Sequence, residues 1–207
     1  MVRRRLVAPL LVVGAALLAL PVSAAGRDRK FADFFARHSL TPPAATRLTV
    51  CYGFGCRRRM QVVFTDADRK AVNGIIANAA ASARAERAAV ARTVAWFDRR
   101  VGPLTGTARR VARADFRALD AANNFDCIDT STNTTGLLLL FAGWKLLRYH
   151  DVGLPYYRGN LLFGQTPHNT AVLIERTSGR VWAIDMWTTG YGDRPDVMPV
   201  ERWMQEN

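Results

Sequence analysis

The stretch Leu137-Leu138-Leu139-Leu140-Phe141-Ala142-Gly143-Trp144 limits the fold more than any other part of this 207-residue chain. It is apolar around its whole circumference, so as a helix it has no face to give to water and belongs inside a core. Lys145 interrupts it, and it falls far short of the ~20 apolar residues that span a bilayer. The remaining elements must therefore be arranged around one central helix.

Those elements are helical first and strand-like later. From Arg27 to Pro43 a short amphipathic segment carries Phe31, Phe34 and Phe35 and reads as a cover. Leu48 to Cys51 and Met60 to Phe64 have strand content and predict a pair across the loop 52–59. Thr65-Asp66-Ala67-Asp68 has the form of a capping box, so a helix follows, with Val72, Ile75, Ile76 and Ala79 on one face. Val90, Val94, Phe97 and Val101 resume that spacing, with a break predicted near Ala81-Ser82 and an end at Gly102-Pro103. A further helix is predicted from about Thr107 to Ala122. The core helix is predicted to run from Cys127 to about Tyr149, closed by His150-Asp151-Val152-Gly153. Thr170 to Glu175 and Val181 to Trp187 then have the content of a β-hairpin. The expected fold is α+β, with a helical N-terminal half packed on a small antiparallel sheet and the core helix at its centre.

The first residues read as an export signal, with Arg3, Arg4 and Arg5 as the basic part, Leu6 to Leu20 as the apolar part and Pro21 to Ala25 as a small-residue cleavage region. The expected organisation is a signal peptide over 1–24 and a single domain over 25–207. An uncleaved membrane anchor is the alternative, and either way the domain is expected outside the cytoplasm, periplasmic or secreted. Losing those three arginines takes the formal charge from +12 to +9, and only Lys30, Lys70 and Lys145 among the basic residues are not arginine. An exported basic protein points to acidic lipid, cell-wall polymer or acidic peptide rather than nucleic acid, unless the charge is simply solvated surface.

In an oxidising compartment Cys51 and Cys56 are close enough in sequence to bridge, which leaves Cys127 over. A zinc site of Cys51, Cys56, Cys127 and His168 is the alternative, and export favours the bridge. Arg57-Arg58-Arg59 follows the loop and is a candidate anion-binding run. Asn133-Thr134-Thr135 fits the glycosylation pattern, but its place at a helix start makes that a poor reading.

Cys127 falls at the predicted start of the core helix, where backbone N–H groups favour a thiolate. A thiol nucleophile needs a base, and the chain offers His38, His150 and His168. On a helix reaching Tyr149, His150 would lie about 35 Å from the thiol. His38 belongs to the N-terminal cover. His168 opens a strand after a loop that lets the chain return, and Asp185 lies among apolar residues of the next strand, where a carboxylate needs a partner. If the hairpin turns at Ser178-Gly179, Asp185 pairs with Val172, about 13 Å along the strand from His168.

The order Cys127, His168, Asp185, with the thiol at a helix start and the other two on adjacent strands, resembles the transglutaminase-like and papain-like cysteine hydrolase superfamily over roughly residues 124 to 190. The resemblance implies a thiol-hydrolase-like core at about 107–207. It also implies an amide or ester hydrolase or acyltransferase in which Cys127 attacks a carbonyl, His168 moves the proton and Asp185 orients His168. A peptide or cell-wall substrate is expected, with no cofactor and no metal. The glutamine that papain-like enzymes carry six residues before the cysteine is Ala121 here, so Asn124 and the Cys127 N–H are the candidate oxyanion hole. The rival reading is a non-catalytic envelope protein that binds acidic polymer or lipid through its basic face.

Overall fold

The computed structural model describes residues 24–77, 81–114, 117–160, 162 and 164–206. The expected signal lies almost wholly outside the described residues. No described helix is long and apolar enough to cross a membrane.

The fold is α+β. Helix α1 (Ala24–Ala36) precedes a hairpin of β1 (Arg47–Tyr52) and β2 (Arg58–Val63). Helices α2 (Asp66–Ala77), α3 (Ala83–Thr105) and α4 (Cys127–Gly143) follow. A four-stranded antiparallel sheet in the order β3-β4-β5-β6 comes next, from β3 (His150–Arg158), β4 (His168–Glu175), β5 (Val181–Asp185) and β6 (Asp196–Pro199). The short helix α5 (Val200–Trp203) closes the chain.

Local chemistry sets the helix starts. Thr65 and Asp68 form the expected reciprocal cap, each side chain accepting the other residue's backbone N–H. Ser82 caps α3 through the Ala85 N–H, so the break near Ala81-Ser82 is real. Pro103 does not end α3 as expected. Proline leaves the Arg99 carbonyl without its helical donor, and the Tyr191 hydroxyl donates to that carbonyl instead. The helix runs on to Thr105 and stops at Gly106, whose φ of 74° suits glycine.

Helix α4 is the predicted centre. Leu137, Leu138, Leu140 and Phe141 are buried against Leu48 and Val50 of the hairpin, Val90 and Val94 of α3, and Ala171 and Leu173 of the sheet. It ends at Gly143, six residues short of the expected Tyr149, and His150 begins β3 rather than closing a helix. The expected helix from Thr107 to Ala122 is absent; the described residues of that stretch are turns and irregular chain. The buried Arg110 explains this, because its guanidinium donates to Asp98 and to the carbonyls of Met186, Thr189 and Gly190. That pull ties the segment to the loop after β5, and Val111, which would have faced a core, is exposed.

The two faces of the four-stranded sheet do different work. Ala171, Leu173 and Ile184 face α4 and the main core, whereas Val172 and Ala183 pack with Val200 and Trp203 of α5 in a second cluster. Alternation along β4 therefore places His168 in the row of Thr170 and Val172 and Asn169 in the row of Ala171 and Leu173.

Candidate active site

Cys127 occupies the first turn of α4. Asp126 caps that turn by accepting the Asp129 N–H at 2.9 Å, and Asp129 accepts the Asp126 N–H in return. The sulfur is partly buried, and the Asn169 side-chain amide donates to it at 3.7 Å. Burial raises the Cys127 thiol above its ordinary value; a bond from the Asn169 backbone N–H opposes this, and the Asp126 charge adds to it. The helix start does not produce the thiolate expected from position alone, because desolvation and the neighbouring carboxylate outweigh the N–H groups.

The disulfide loop braces this turn. Cys51 and Cys56 are bridged, which removes two thiols from the alternative zinc set, and no group of three metal-ligating residues occurs among the described residues. Gly53, Phe54, Gly55 and Cys56 all have positive φ, a run in which Phe54 and Cys56 are strained. Their N–H groups converge on the Asp129 carboxylate at 2.8 and 2.7 Å, which holds the run in place. One turn further on, Asn133 accepts the Cys51 N–H and donates to the Cys51 carbonyl, both at 2.7 Å. Its amide is consumed by packing, so Asn133 does not present a glycosylation acceptor. Burial and the Asp126 charge push Asp129 up to about 7, against the N–H groups of Cys56, Asp126 and Phe54.

His168 and Asp185 meet as expected, with Nε2 to Oδ2 at 2.6 Å and both side chains buried. The strand register brings them closer than the tight turn had suggested. Val172 pairs with Ala183 rather than with Asp185, so continuing the ladder sets Asp185 opposite Thr170, two residues from His168 on the same face. Trp203 Nε1 donates to the same Oδ2 at 2.7 Å, and the Trp187 N–H donates to Oδ1 at 3.1 Å. The imidazole is held between the rings of Trp187 and Trp203, at centroid distances of 4.5 and 5.4 Å. Its Nδ1 is buried and has no hydrogen-bond partner among the described residues.

The thiol and the imidazole are thus neighbours through the chain rather than bonded to each other. Cys127 Sγ meets Asn169, the residue next to His168, and the structure does not bring it into a hydrogen bond with Nδ1. The candidate oxyanion donor Asn124 donates its side-chain amide to the Ala118 carbonyl at 2.8 Å. Asn169 is the side-chain amide that faces the sulfur. Sequence reasoning passed over it, although a polar residue on the core-facing row of a strand is the signal that marks it.

The other histidines have different settings. His150 is fully buried, with Nδ1 against Glu86 at 2.7 Å and Nε2 against Arg87 at 3.0 Å, so both ring nitrogens are taken. His38 lies edge-on to Phe34. Burial lowers its pKa, partly offset by the Asp126 charge. In the arginine run, Arg57 pairs with Asp120 at 2.9 Å, Arg58 donates to the Asp120 carbonyl, and all three residues are exposed. Compared with protein-family models, with curated proteins and with solved structures, the chain matches none significantly.

Proposed function

We propose that this protein is an exported thiol-dependent amide or ester hydrolase, or acyltransferase, working through Cys127 with His168 as base and Asp185 as its orienting acid. The observation that carries the reading is the buried His168 to Asp185 bond, which leaves Nδ1 buried and without a hydrogen-bond partner among the described residues, on the residue next in sequence to the one that touches the sulfur. An imidazole fixed on one nitrogen by a carboxylate and bare on the other is what a general base requires.

Burial raises the Cys127 thiol pKa, so the thiol has to give its proton to a base before it can attack. His168 and Asn169 alternate on β4, so catalysis requires the start of that strand to shift until Nδ1, on the other row from Asn169, reaches the Cys127 sulfur, a closing of distance common when an apo site takes up substrate. Nδ1 takes the thiol proton as sulfur bonds to the substrate carbonyl carbon, and the carbonyl electrons move to oxygen. The Asn169 amide and the Cys127 backbone N–H stabilise that oxygen. Collapse restores the carbonyl and breaks the bond to the leaving nitrogen or oxygen, which takes the proton from the imidazolium. Water or an acceptor amine, deprotonated by Nδ1, then attacks the thioester and frees Cys127. A peptide or cell-wall amide supplies the carbonyl in this reading. The chemistry described needs no cofactor.

Incubation with p-nitrophenyl acetate and mass analysis of the trapped protein tests the reading. The expected result is an acetyl group on Cys127, absent in Cys127→Ala and slowed at least about 100-fold in His168→Ala. Equal p-nitrophenol release by wild type and both variants would leave the rival, a basic envelope protein that binds acidic polymer or lipid without turnover.

A further inference from the structure

Away from Cys127, a hollow of about 420 Å³ lies between α2, α3 and the loop after β5, lined by Ile75, Arg92, Trp96, Arg99, Asp193 and Arg194 among others. Three guanidinium groups and a single carboxylate line it. Several arginines elsewhere are paired with acids, as in Arg57 with Asp120, Arg87 with Glu175, Arg100 with Asp68 and Arg110 with Asp98, and others lie over aromatic rings, as Arg69 over Trp144 and Arg158 over Trp203. The three in this hollow have neither arrangement with a described residue. Among the described residues none of the three forms an ion pair, and Arg99 donates only to the Gly192 carbonyl. The apolar groove beside α1 makes the contrast, because its basic Arg27 lies against Asp151.

Like charges gathered on one concave wall repel each other unless an anion joins them. The wall is also held in shape. Gly192 N–H donates to Asp98 at 2.8 Å, the Tyr191 N–H donates to the Arg110 carbonyl at 2.9 Å, and the Tyr191 hydroxyl reaches the Arg99 carbonyl. The loop that carries Arg194 is thereby fastened to α3, which carries the other two arginines.

We infer that this hollow is a binding site for a small organic dianion of the phosphate class. Three cations against Asp193 leave a net charge of two for the ligand to match, and planar guanidinium groups suit the paired oxygens of a phosphate. Trp96 and Ile75 offer an apolar wall for the ligand's carbon part. The volume lies at the lower end of the range for small-molecule sites, larger than a bare phosphate needs. The site stands apart from the proposed thiol chemistry.

Calorimetric titration of the full protein with phenyl phosphate and with benzoate, at one fixed ionic strength, tests this. The expected result is one saturable site for phenyl phosphate, tighter than for benzoate. Arg92→Gln and Arg194→Gln should each weaken it about tenfold. Cys127→Ala should bind like wild type, so failure of the enzymatic reading leaves this outcome untouched. No saturable binding of phenyl phosphate, benzoate binding as tight, or full-strength binding by the Arg92→Gln, Arg194→Gln double variant would each overturn the inference.

Discussion

Asp126 does two things at once: it caps α4 by accepting the Asp129 N–H, and it sets a negative charge beside the Cys127 sulfur. Asparagine caps a helix about as well as aspartate, so Asp126→Asn separates the two roles. The cap survives and the charge goes. Iodoacetamide should then alkylate Cys127 faster than in wild type at pH 8, by up to about tenfold, because a like charge no longer opposes the thiolate. An unchanged or slower rate would show that the carboxylate does not govern the sulfur. The same residue shows where sequence reading stopped. Position at a helix start was visible, and so was the pairing of His168 with Asp185, since a buried carboxylate on a strand demands a donor. The burial of the sulfur was not visible, because it depends on Asn169 of a distant strand arriving over it. The Asn124 amide was not legible either: it donates to the Ala118 carbonyl, because the expected helix before it gives way to turns.

At the level of elements, the connection from β3 to β4 determines where His168 lies. Arg158 pairs with His168 across the two strands, and Gly159 follows directly with a φ of 86°. A Cβ at Gly159 would overlap the Thr166 backbone carbonyl, which cannot move aside as a side-chain tip could. Gly159→Ala should therefore destabilise the protein by at least about 2 kcal/mol, adding left-handed strain to overpacking. Urea unfolding checks this, and a midpoint within error of wild type would sink it. Helix starts were legible because caps are local: Thr65 with Asp68, and Ser82, act within one turn. Helix ends were less so. Pro103 and Gly102 read as a stop, yet a tyrosine 88 positions later supplies the donor that lets α3 continue. The strand β3 was read as a helix end, since nothing in His150-Asp151-Val152-Gly153 declares that Glu86 and Arg87 will take both sides of the imidazole.

For the whole molecule, the α+β class followed from one all-apolar helix and two hairpins' worth of strand content, and both survive in the structure. The four-stranded extent of the second sheet did not follow, because β6 is short and β3 carries a bulge and a proline. Charge buried in this frame sets how stability depends on pH. Burial acts against the carboxylate of Glu86, but the His150 bond and the N–H groups of Arg148 and Tyr149 overcome it and lower its pKa. Burial likewise acts against Asp68, overcome by Arg100 and Thr65. Acids lowered by folding stabilise above their unfolded values, 4.5 and 3.8, and that stabilisation is lost as pH falls through the folded ones. His38, lowered from 6.5, also disfavours the folded state on the acid side. Asp129 has the opposite sign. Its folded pKa of about 7 exceeds the unfolded 3.8, so the native state holds its proton longer and stability declines as pH rises through that interval, levelling off above about 7. Urea midpoints measured from pH 3 to 9 should therefore fall steeply toward pH 3 and decline between about pH 5 and 7. In Asp129→Asn the decline between about pH 5 and 7 should vanish, even though the overall midpoint drops because one oxygen acceptor for the disulfide loop becomes a donor. A decline of unchanged slope in that variant would show that another group, and not the braced turn beneath Cys127, sets the decline below pH 7.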